Sequence, residues 1–439
     1  MNQRRICVIG LGYIGLPTSA MFATHGFKVI GIDVNRKVVE ALNQGKIIIE
    51  EPYLDILVQA AVRSGNLLAE TVPEQADAFI IAVPTPILSD KTADMSYVVA
   101  ATESILPFLK KGDIVVLEST SPTGTVDGLM IPILEKTGLK IGEELFVGHS
   151  PERVLPGKIL WELVNNNRIV GGIDRVSAEK IRDLYKIFVN GEIYLTTATT
   201  AEMCKMMENT YRDVNIALAN ELAMICEGAS INAWEVIDLC NKHPRVNIHQ
   251  PGPGVGGHCL AVDPWFIVEK YPDIARIICL SRVTNDSMPH HILAKVQEIL
   301  ADIKGQKKIT ILGVAYKANI DDLRESPILE LIDLIEKVDD YSISVYDPYV
   351  KRLKYQTASV IDAASNSDLI ILAVNHDCFR ELPLAEMIRV MRNKVMFDTR
   401  NFFDRKEIEE MGAEYYLLGD SFRISRTKSI SSFKEVVNY

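Results

Sequence analysis

A chain of 439 residues, 48% hydrophobic and 24% charged, has the makeup of a folded enzyme and not that of a disordered or fibrous protein. Its length exceeds one ordinary core, so two or three domains are expected. A net charge of -11 argues against general affinity for nucleic acid or acidic membranes, which needs excess Lys and Arg, so any bound phosphate must be met locally.

Arg4 and Arg5 precede an apolar run at 6–10 whose glycines stand at structured spacing, so it reads as a first strand and not a signal sequence. A Gly-rich turn, a helical pattern through His25 and a second strand at 28–32 complete a βαβ unit. Apolar runs at 78–83, 114–117 and 145–147 alternate with helical stretches such as 96–109, which predicts a parallel, doubly wound sheet. From 200 to about 301 the pattern turns to long helices, the first at 201–229, interrupted by a Pro/Gly-rich stretch at 244–264. The βα rhythm returns at Lys307, with strands at 309–314, 342–346, 369–374 and 395–398 and a helix at 327–338. The predicted class is α/β: a Rossmann domain at 1–199, a helical middle domain at 200–301 and a second Rossmann-like domain at 302–439, ending in a surface tail at 429–439. Seven cysteines, an odd number without CxxC spacing, fit reduced thiols in a cytoplasm, and no apolar run reaches the roughly 18 residues of a membrane span.

Gly10, Gly12 and Gly15 form GxGxxG, with Tyr13 and Ile14 between them, where a strand passes into a helix. Glycine there lets backbone approach a pyrophosphate, whose charge meets helix N-terminal N–H groups. Asp33 ends the next strand, where a carboxylate binds ribose hydroxyls and repels a 2′-phosphate, so NAD is favoured over NADP; Arg36 nearby weakens that choice slightly. Thr85 and Thr120 close two later strands at the expected ligand crevice, though as isolated residues they read more often as turn and cap residues. Lys205, Asn209 and Arg212 fall on one face of the first long helix. A solvated stripe is the bland reading of such residues, but Asn is a poor helix former, and Asn209 and Asn215 inside this helix favour a polar face turned towards a substrate.

The loop at 243–264 is too rich in Gly and Pro for helix or strand, and in it Cys259 follows Gly256, Gly257 and His258. A thiol beside permissive backbone, with His258 and Asp263 close in sequence, is a candidate nucleophile; most of the remaining cysteines read as small buried hydrophobes. No second ligand pair accompanies His258 and Cys259, so no metal is expected. Lys317 and Arg324 put positive charge at a strand's carboxyl end before Ser326 and Pro327 open a helix, and 398–401, with Arg400, repeats the arrangement. Lacking the three glycines, this is not a second NAD site but suits a phosphate-bearing ligand.

GLGYIGLP, VPTP, the Glu118–Ser119–Thr120 triplet, SPER ending at Arg153, the Lys205 helix, GGHC and the YK…RESP loop stand in one order along essentially the whole chain. In that order the sequence resembles the UDP-glucose/GDP-mannose dehydrogenase family. The stretch from His243 to Phe266 is similar to the branch acting on UDP-N-acetylmannosamine; Ala261 and Val262 stand where the UDP-glucose branch carries a Pro-Lys pair. The resemblance implies a four-electron oxidation in which a sugar C6 alcohol becomes an aldehyde and then a carboxylate while two NAD are reduced. By position, Cys259 would be the nucleophile, Lys205 the acid/base and oxyanion partner, and Asn209 a donor to the same oxygen. Asp263 and Thr120 would assist proton transfer through water, and Glu152 thioester hydrolysis. Some UDP-glucose enzymes carry a further glutamate where this chain has Pro156, which leaves the hydrolytic base open. Arg153, Val154, Lys205, Asn209, Arg212, His243, Arg245, Gly256, Tyr316, Lys317 and Arg400 would contact the UDP-sugar, and Arg324 would lie near the cofactor. The resemblance also implies a homodimer built on the middle domain, with Arg245 reaching the neighbouring site, and a role in surface polysaccharide synthesis. Two competing functions are a 6-dehydrogenase of UDP-N-acetylglucosamine or UDP-glucose, and a non-catalytic NAD-bound sensor; the presence of Cys259 and Lys205 speaks against the sensor.

Overall fold

The computed structural model describes residues 4–49, 51–155 and 157–420, so Pro156 and the tail at 429–439 lie outside them. The described chain forms two compact units: one runs to Tyr211 and includes Val262–Arg276, the other comprises Arg212–Ala261 and the chain from Ile277. The division falls inside a single 32-residue helix, Ala198–Ala229.

The first unit holds eight strands: β1 Arg5–Ile9, β2 Lys28–Ile32, β3 Leu67–Glu70, β4 Ala78–Ile81, β5 Ile114–Leu117, β6 Phe146–His149, β7 Arg168–Gly172 and β8 Ile193–Thr197. Their order is β3-β2-β1-β4-β5-β6-β7-β8, so the chain switches direction across the sheet between β1 and β4. A doubly wound sheet binds ligands at that point. β4 is buried throughout, as a parallel strand covered on both faces must be, and the sequence there is a continuous apolar run. One pair departs from the expected parallel pattern: β6 and β7 are antiparallel. Between them lies only the seven-residue helix Ile159–Asn165, about 10 Å long. The chain therefore re-enters from beyond the carboxyl end of β6. β3, β7 and β8 escape the sequence reading because they are not continuously apolar; β3 alternates buried and exposed residues. The predicted helix at 96–109 is α-helical over Ser96–Ile105 and tightens to a 3₁₀ turn at Leu106–Phe108, where Pro107 has no N–H to continue the ladder.

The second unit carries a wholly parallel sheet of β9 Lys307–Leu312, β10 Tyr341–Tyr346, β11 Leu369–Leu372, β12 Val395–Asp398 and β13 Glu414–Leu417, in the order β10-β9-β11-β12-β13. Met288, Ile292 and Val296 recur every four residues on helix Arg276–Ile299 and join Ile309, Ile311 and Leu331 in one buried cluster. The helix after β9, Pro327–Glu336, is capped by Ser326, whose Oγ accepts from the Ile328 N–H.

Candidate active site

In the first unit β1 passes through the glycine turn into helix Gly15–Thr24. Gly10 adopts φ +94°, and a Cβ there would lie 2.4 Å from the Ala82 carbonyl oxygen; one on Gly15 would lie 1.9 Å from that of Gly10. A Cβ on Gly12 would meet nothing within 4 Å beyond its chain neighbours. Two glycines thus allow the turn to close, and the middle one faces open space. No side chain caps the helix and no carboxylate in its first turn competes for an anion. Asp33 is half-buried at the end of β2, where its carboxylate accepts from the Leu11 N–H at 3.1 Å and the Asn35 N–H at 2.8 Å. Arg36 is exposed and begins the next helix.

The two threonines meet: Thr85 Oγ1 donates to the Thr120 carbonyl at 2.6 Å, joining the turns after β4 and β5. Glu202, on the long helix, accepts from the Val126 N–H at 2.9 Å and from the Gly124 N–H, and so anchors the loop that follows Thr120. Burial pushes its carboxyl up to about 7.

Lys205, Asn209 and Asp263 also come together. Asn209 Nδ2 donates to Asp263 Oδ2 at 2.6 Å, and both residues are buried. Burial raises the Asp263 carboxyl to about 6, against the pull of the Lys205 charge and the Asn209 hydrogen bond. His149, at the end of β6, is fully buried with neither ring nitrogen hydrogen-bonded; burial, with the Lys205 and Arg168 charges, drives its pKa down to about 3 and keeps it neutral.

Glu152 is buried in a network that the sequence reading missed. Extending the antiparallel register of Gly148 with Gly172 brings position 168 level with position 152. There Arg168 forms ion pairs with Glu152 at 3.0 Å and Glu118 at 2.9 Å and donates through Nε to Ser150 Oγ at 2.8 Å. Its guanidinium stacks over Tyr185, 4.0 Å from the ring centre, and the Tyr185 hydroxyl donates to Glu118 at 2.6 Å. Burial, the largest influence on Glu118, raises its carboxyl to about 7. Arg168 stood in the sequence merely as a charge before an apolar run, and only the strand reversal gives it meaning. Arg153 donates to Glu208 at 2.6 Å and to the Asn167 carbonyl, and Val154 beside it is half-buried.

The second unit contains the Pro/Gly loop. A Cβ on Gly252 would lie 2.3 Å from Arg400 Nη1, one on Gly257 2.8 Å from the Tyr316 ring, and one on Gly256 2.8 Å from Tyr316 Cβ and 2.4 Å from the Glu325 carbonyl oxygen. The Gly257 N–H donates to the Arg324 carbonyl at 3.0 Å. Gly256, Tyr316, Arg324 and Arg400 are therefore neighbours of the loop that carries Cys259, which is half-buried in the turn before helix Asp263–Lys270. Burial lowers the Arg400 guanidinium to about 10, so it stays charged at neutral pH. Arg324 pairs with Asp322 at 2.6 Å. Arg212, His243, Arg245 and Lys317 are exposed. Among the described residues, no group of His, Cys, Asp and Glu is arranged to hold a metal, and no helix is long and apolar enough to cross a membrane.

Three models of the UDP-glucose/GDP-mannose dehydrogenase family match the chain: its NAD binding domain at residues 4–189, its central domain at 199–287 and its UDP binding domain at 310–405. UDP-N-acetyl-D-mannosamine dehydrogenase of Methanocaldococcus jannaschii is 47% identical over 424 residues, 95% of this chain and 97% of that one. NDP-N-acetyl-D-galactosaminuronic acid dehydrogenase of Ralstonia nicotianae is 48% identical over 420 residues, covering 93% and 98%. Among solved structures, the UDP-N-acetyl-mannosamine dehydrogenase of Staphylococcus aureus superposes with a TM-score of 0.86 at 45% identity, covering 96% of this chain and 99% of that one.

Proposed function

Since the chain belongs to the UDP-glucose/GDP-mannose dehydrogenase family, we propose that it oxidises the C6 alcohol of UDP-N-acetylmannosamine to the carboxylate with two NAD. The observation that carries the substrate is the 47% identity, over nearly the full length of both chains, to an enzyme named for that sugar. When bound, NAD would supply the hydride acceptor for each of the two oxidation steps. Gly12 and the amide end of helix Gly15–Thr24 would hold its pyrophosphate, and Asp33 its ribose hydroxyls.

Lys205 takes the proton of the C6 hydroxyl and, with Asn209, stabilises the oxygen as it gains charge. The Cys259 thiolate adds to the aldehyde; the thiohemiacetal then loses hydride to become a thioester, and water releases the acid. Asp263 and Thr120 orient the proton-transferring water. Glu152, paired with Arg168, serves the hydrolytic step. Arg400 meets the diphosphate, together with Lys317 and, through its backbone, Gly256.

The working enzyme is a cytoplasmic homodimer formed on the 200–301 segment, between an NAD domain at 1–199 and a UDP-sugar domain at 302–439, and it supplies a surface polysaccharide. Leu218, Ile225, Leu239, Ile277 and Leu280, each at least half exposed, support such a contact.

NADH formation should be measured with UDP-N-acetylmannosamine, UDP-N-acetylglucosamine, UDP-N-acetylgalactosamine and UDP-glucose. The highest kcat/KM with any sugar but the first overturns the substrate. Cys259→Ser should trap a sugar-nucleotide ester visible by mass spectrometry, and wild-type turnover in Cys259→Ala would remove the thiol from the mechanism.

A further inference from the structure

A line of buried polar side chains in the second unit ends on the loop that carries Cys259, and no step of the chemistry above uses it. Asp213 and Asn220, seven residues apart, share one face of the long helix; Arg282 and Asn285 stand one turn apart on helix Arg276–Ile299. All four are essentially without solvent contact. Arg282 Nη1 donates to Asp213 Oδ1 at 2.5 Å. Asn285 Nδ2 donates to the same Oδ1 at 2.8 Å and to the Asp213 carbonyl at 3.0 Å. Asn220 Nδ2 donates to Asn285 Oδ1 at 2.9 Å, and Asn220 Oδ1 accepts from the Gly252 N–H at 2.8 Å.

The polarity of this line follows from its charged end. Asp213 offers Asn285 only oxygens, so the Asn285 NH₂ must face it and the Asn285 oxygen must face Asn220. The Asn220 NH₂ is then committed to that oxygen, and its own oxygen is left to receive the loop. Reversing either amide would set two oxygens against each other in a buried place, where an unmet polar group has no water to turn to. Gly254 touches the same helix, since a Cβ on it would come within 3.1 Å of the Asn285 carbonyl oxygen. At its other end the loop is tied by the Gly257 N–H to the Arg324 carbonyl.

We propose that Asn220 and Asn285 are positioning residues: the Asp213–Asn285–Asn220 line fixes the loop at Gly252, and so sets where Cys259 is presented to the sugar. The proposal rests on the assignment of Cys259 as nucleophile.

The test is made on the full-length protein with Asn220→Ala, Asn220→Asp and Asn220→Asp combined with Asp213→Asn. Alkylation of Cys259 by iodoacetamide, mapped by peptide mass spectrometry, reads the loop without any sugar present. Steady-state kcat and KM for the UDP-sugar read its effect on turnover, and NADH fluorescence titration reads the first unit as a control.

For Asn220→Ala, kcat should fall about tenfold or more, as small misplacements of a reacting group do. The alkylation rate should change at least about threefold and NADH affinity should stay within about twofold. Asn220→Asp should be impaired as well, because carboxylates then flank Asn285 on both sides and its single NH₂ cannot serve both. Moving the charge with Asp213→Asn leaves one carboxylate and an acceptor for Gly252, while Arg282 keeps its ion pair with Asp286, so the double variant should regain part of the alkylation rate and kcat relative to Asn220→Asp.

Wild-type kcat and alkylation in Asn220→Ala would overturn the proposal, as would a double variant no better than Asn220→Asp. A variant that loses NADH affinity in parallel with kcat points to general unfolding, and that result also counts against positioning. If Cys259→Ala itself keeps turnover, the nucleophile assignment fails; the alkylation result for the loop stands apart from it.

Discussion

The two sheets begin alike and end in different chemistry. The Gly10 N–H donates to the Ile32 carbonyl at 2.8 Å and the Gly313 N–H to that of Tyr346 at 2.9 Å. Both glycines have positive φ, +94° and +84°, and a Cβ on either would collide with the end of the neighbouring strand. The next N–H in each, of Leu11 or Val314, donates to an aspartate at the end of the adjoining strand, Asp33 at 3.1 Å or Asp347 at 2.8 Å. Then they diverge. After Gly10 the helix starts at Gly15, whereas after Gly313 residues 314–326 intervene before helix Pro327–Glu336.

Asp33 is half-exposed, while Asp347 is buried and also accepts from His376 Nε2 at 3.1 Å, the Tyr349 N–H at 2.9 Å and the Val350 N–H at 3.2 Å. His376 Nδ1 accepts from the Asn319 N–H at 2.9 Å, which puts the ring proton on Nε2, facing Asp347. The same backbone turn therefore leaves a carboxylate open to a ligand only where that carboxylate keeps unused acceptor capacity. In the second sheet that capacity is consumed in holding the long loop.

The comparison breaks most visibly at Asp347. Its replacement by Ala strands a buried histidine and several N–H groups and should cost about 3–5 kcal/mol in denaturant unfolding. Donors from His376 and Val314 outweigh burial and hold this carboxyl below its usual range, so its contribution is present above the unfolded value and is lost as pH falls through the lower folded one. An unfolding midpoint within experimental error of wild type would show that the carboxylate is not holding the loop.

Arg400→Ala should come next, raising KM for the UDP-sugar by roughly 10- to 100-fold, the worth of one charge-assisted contact, with NADH affinity unchanged. Parallel losses in both ligands would mean that Arg400 supports the fold and not the diphosphate. Asp33→Ala should lower the kcat/KM preference for NAD over NADP by about tenfold while leaving stability within about 1 kcal/mol. Equal use of both cofactors by the unaltered enzyme would refute the ribose role.

The smallest effect contrasts Asp347 with Asp263, which is buried with Asn209 as its hydrogen-bond donor and is raised to about 6. If its ionised form is the working one, kcat/KM should fall on the acid side about tenfold per pH unit below 6, a limb that Asp263→Asn should abolish in whatever activity remains. A limb unchanged in that variant would assign it to another group.

Much of this was legible in sequence because it is local. Apolar runs gave away nine of the thirteen strands found among the described residues, and Gly10, Gly12, Gly15 and Asp33 belong to one βαβ unit whose geometry spans few residues. Lys205 and Asn209 share a helix face, so periodicity alone placed them together. Arg168 was not legible, since its partners Glu118, Glu152 and Tyr185 lie on separate elements and meet it only because β7 runs against β6. Nor was Glu202 as a loop anchor, since a glutamate near the start of a helix reads as a solvated charge.

What the sequence determined by itself is therefore the alternation of strands and helices at the two ends, the dinucleotide turn and the shared helix face of Lys205 and Asn209, all set by short-range sterics and hydrogen bonding. Tertiary structure alone decided which carboxylates are spent and which stay open. Asp33, Asp263 and Asp347 differ in solvent exposure and in the number of donors that long-range packing brings to each, and those two quantities govern whether a carboxylate binds a ligand, exchanges a proton or holds the fold.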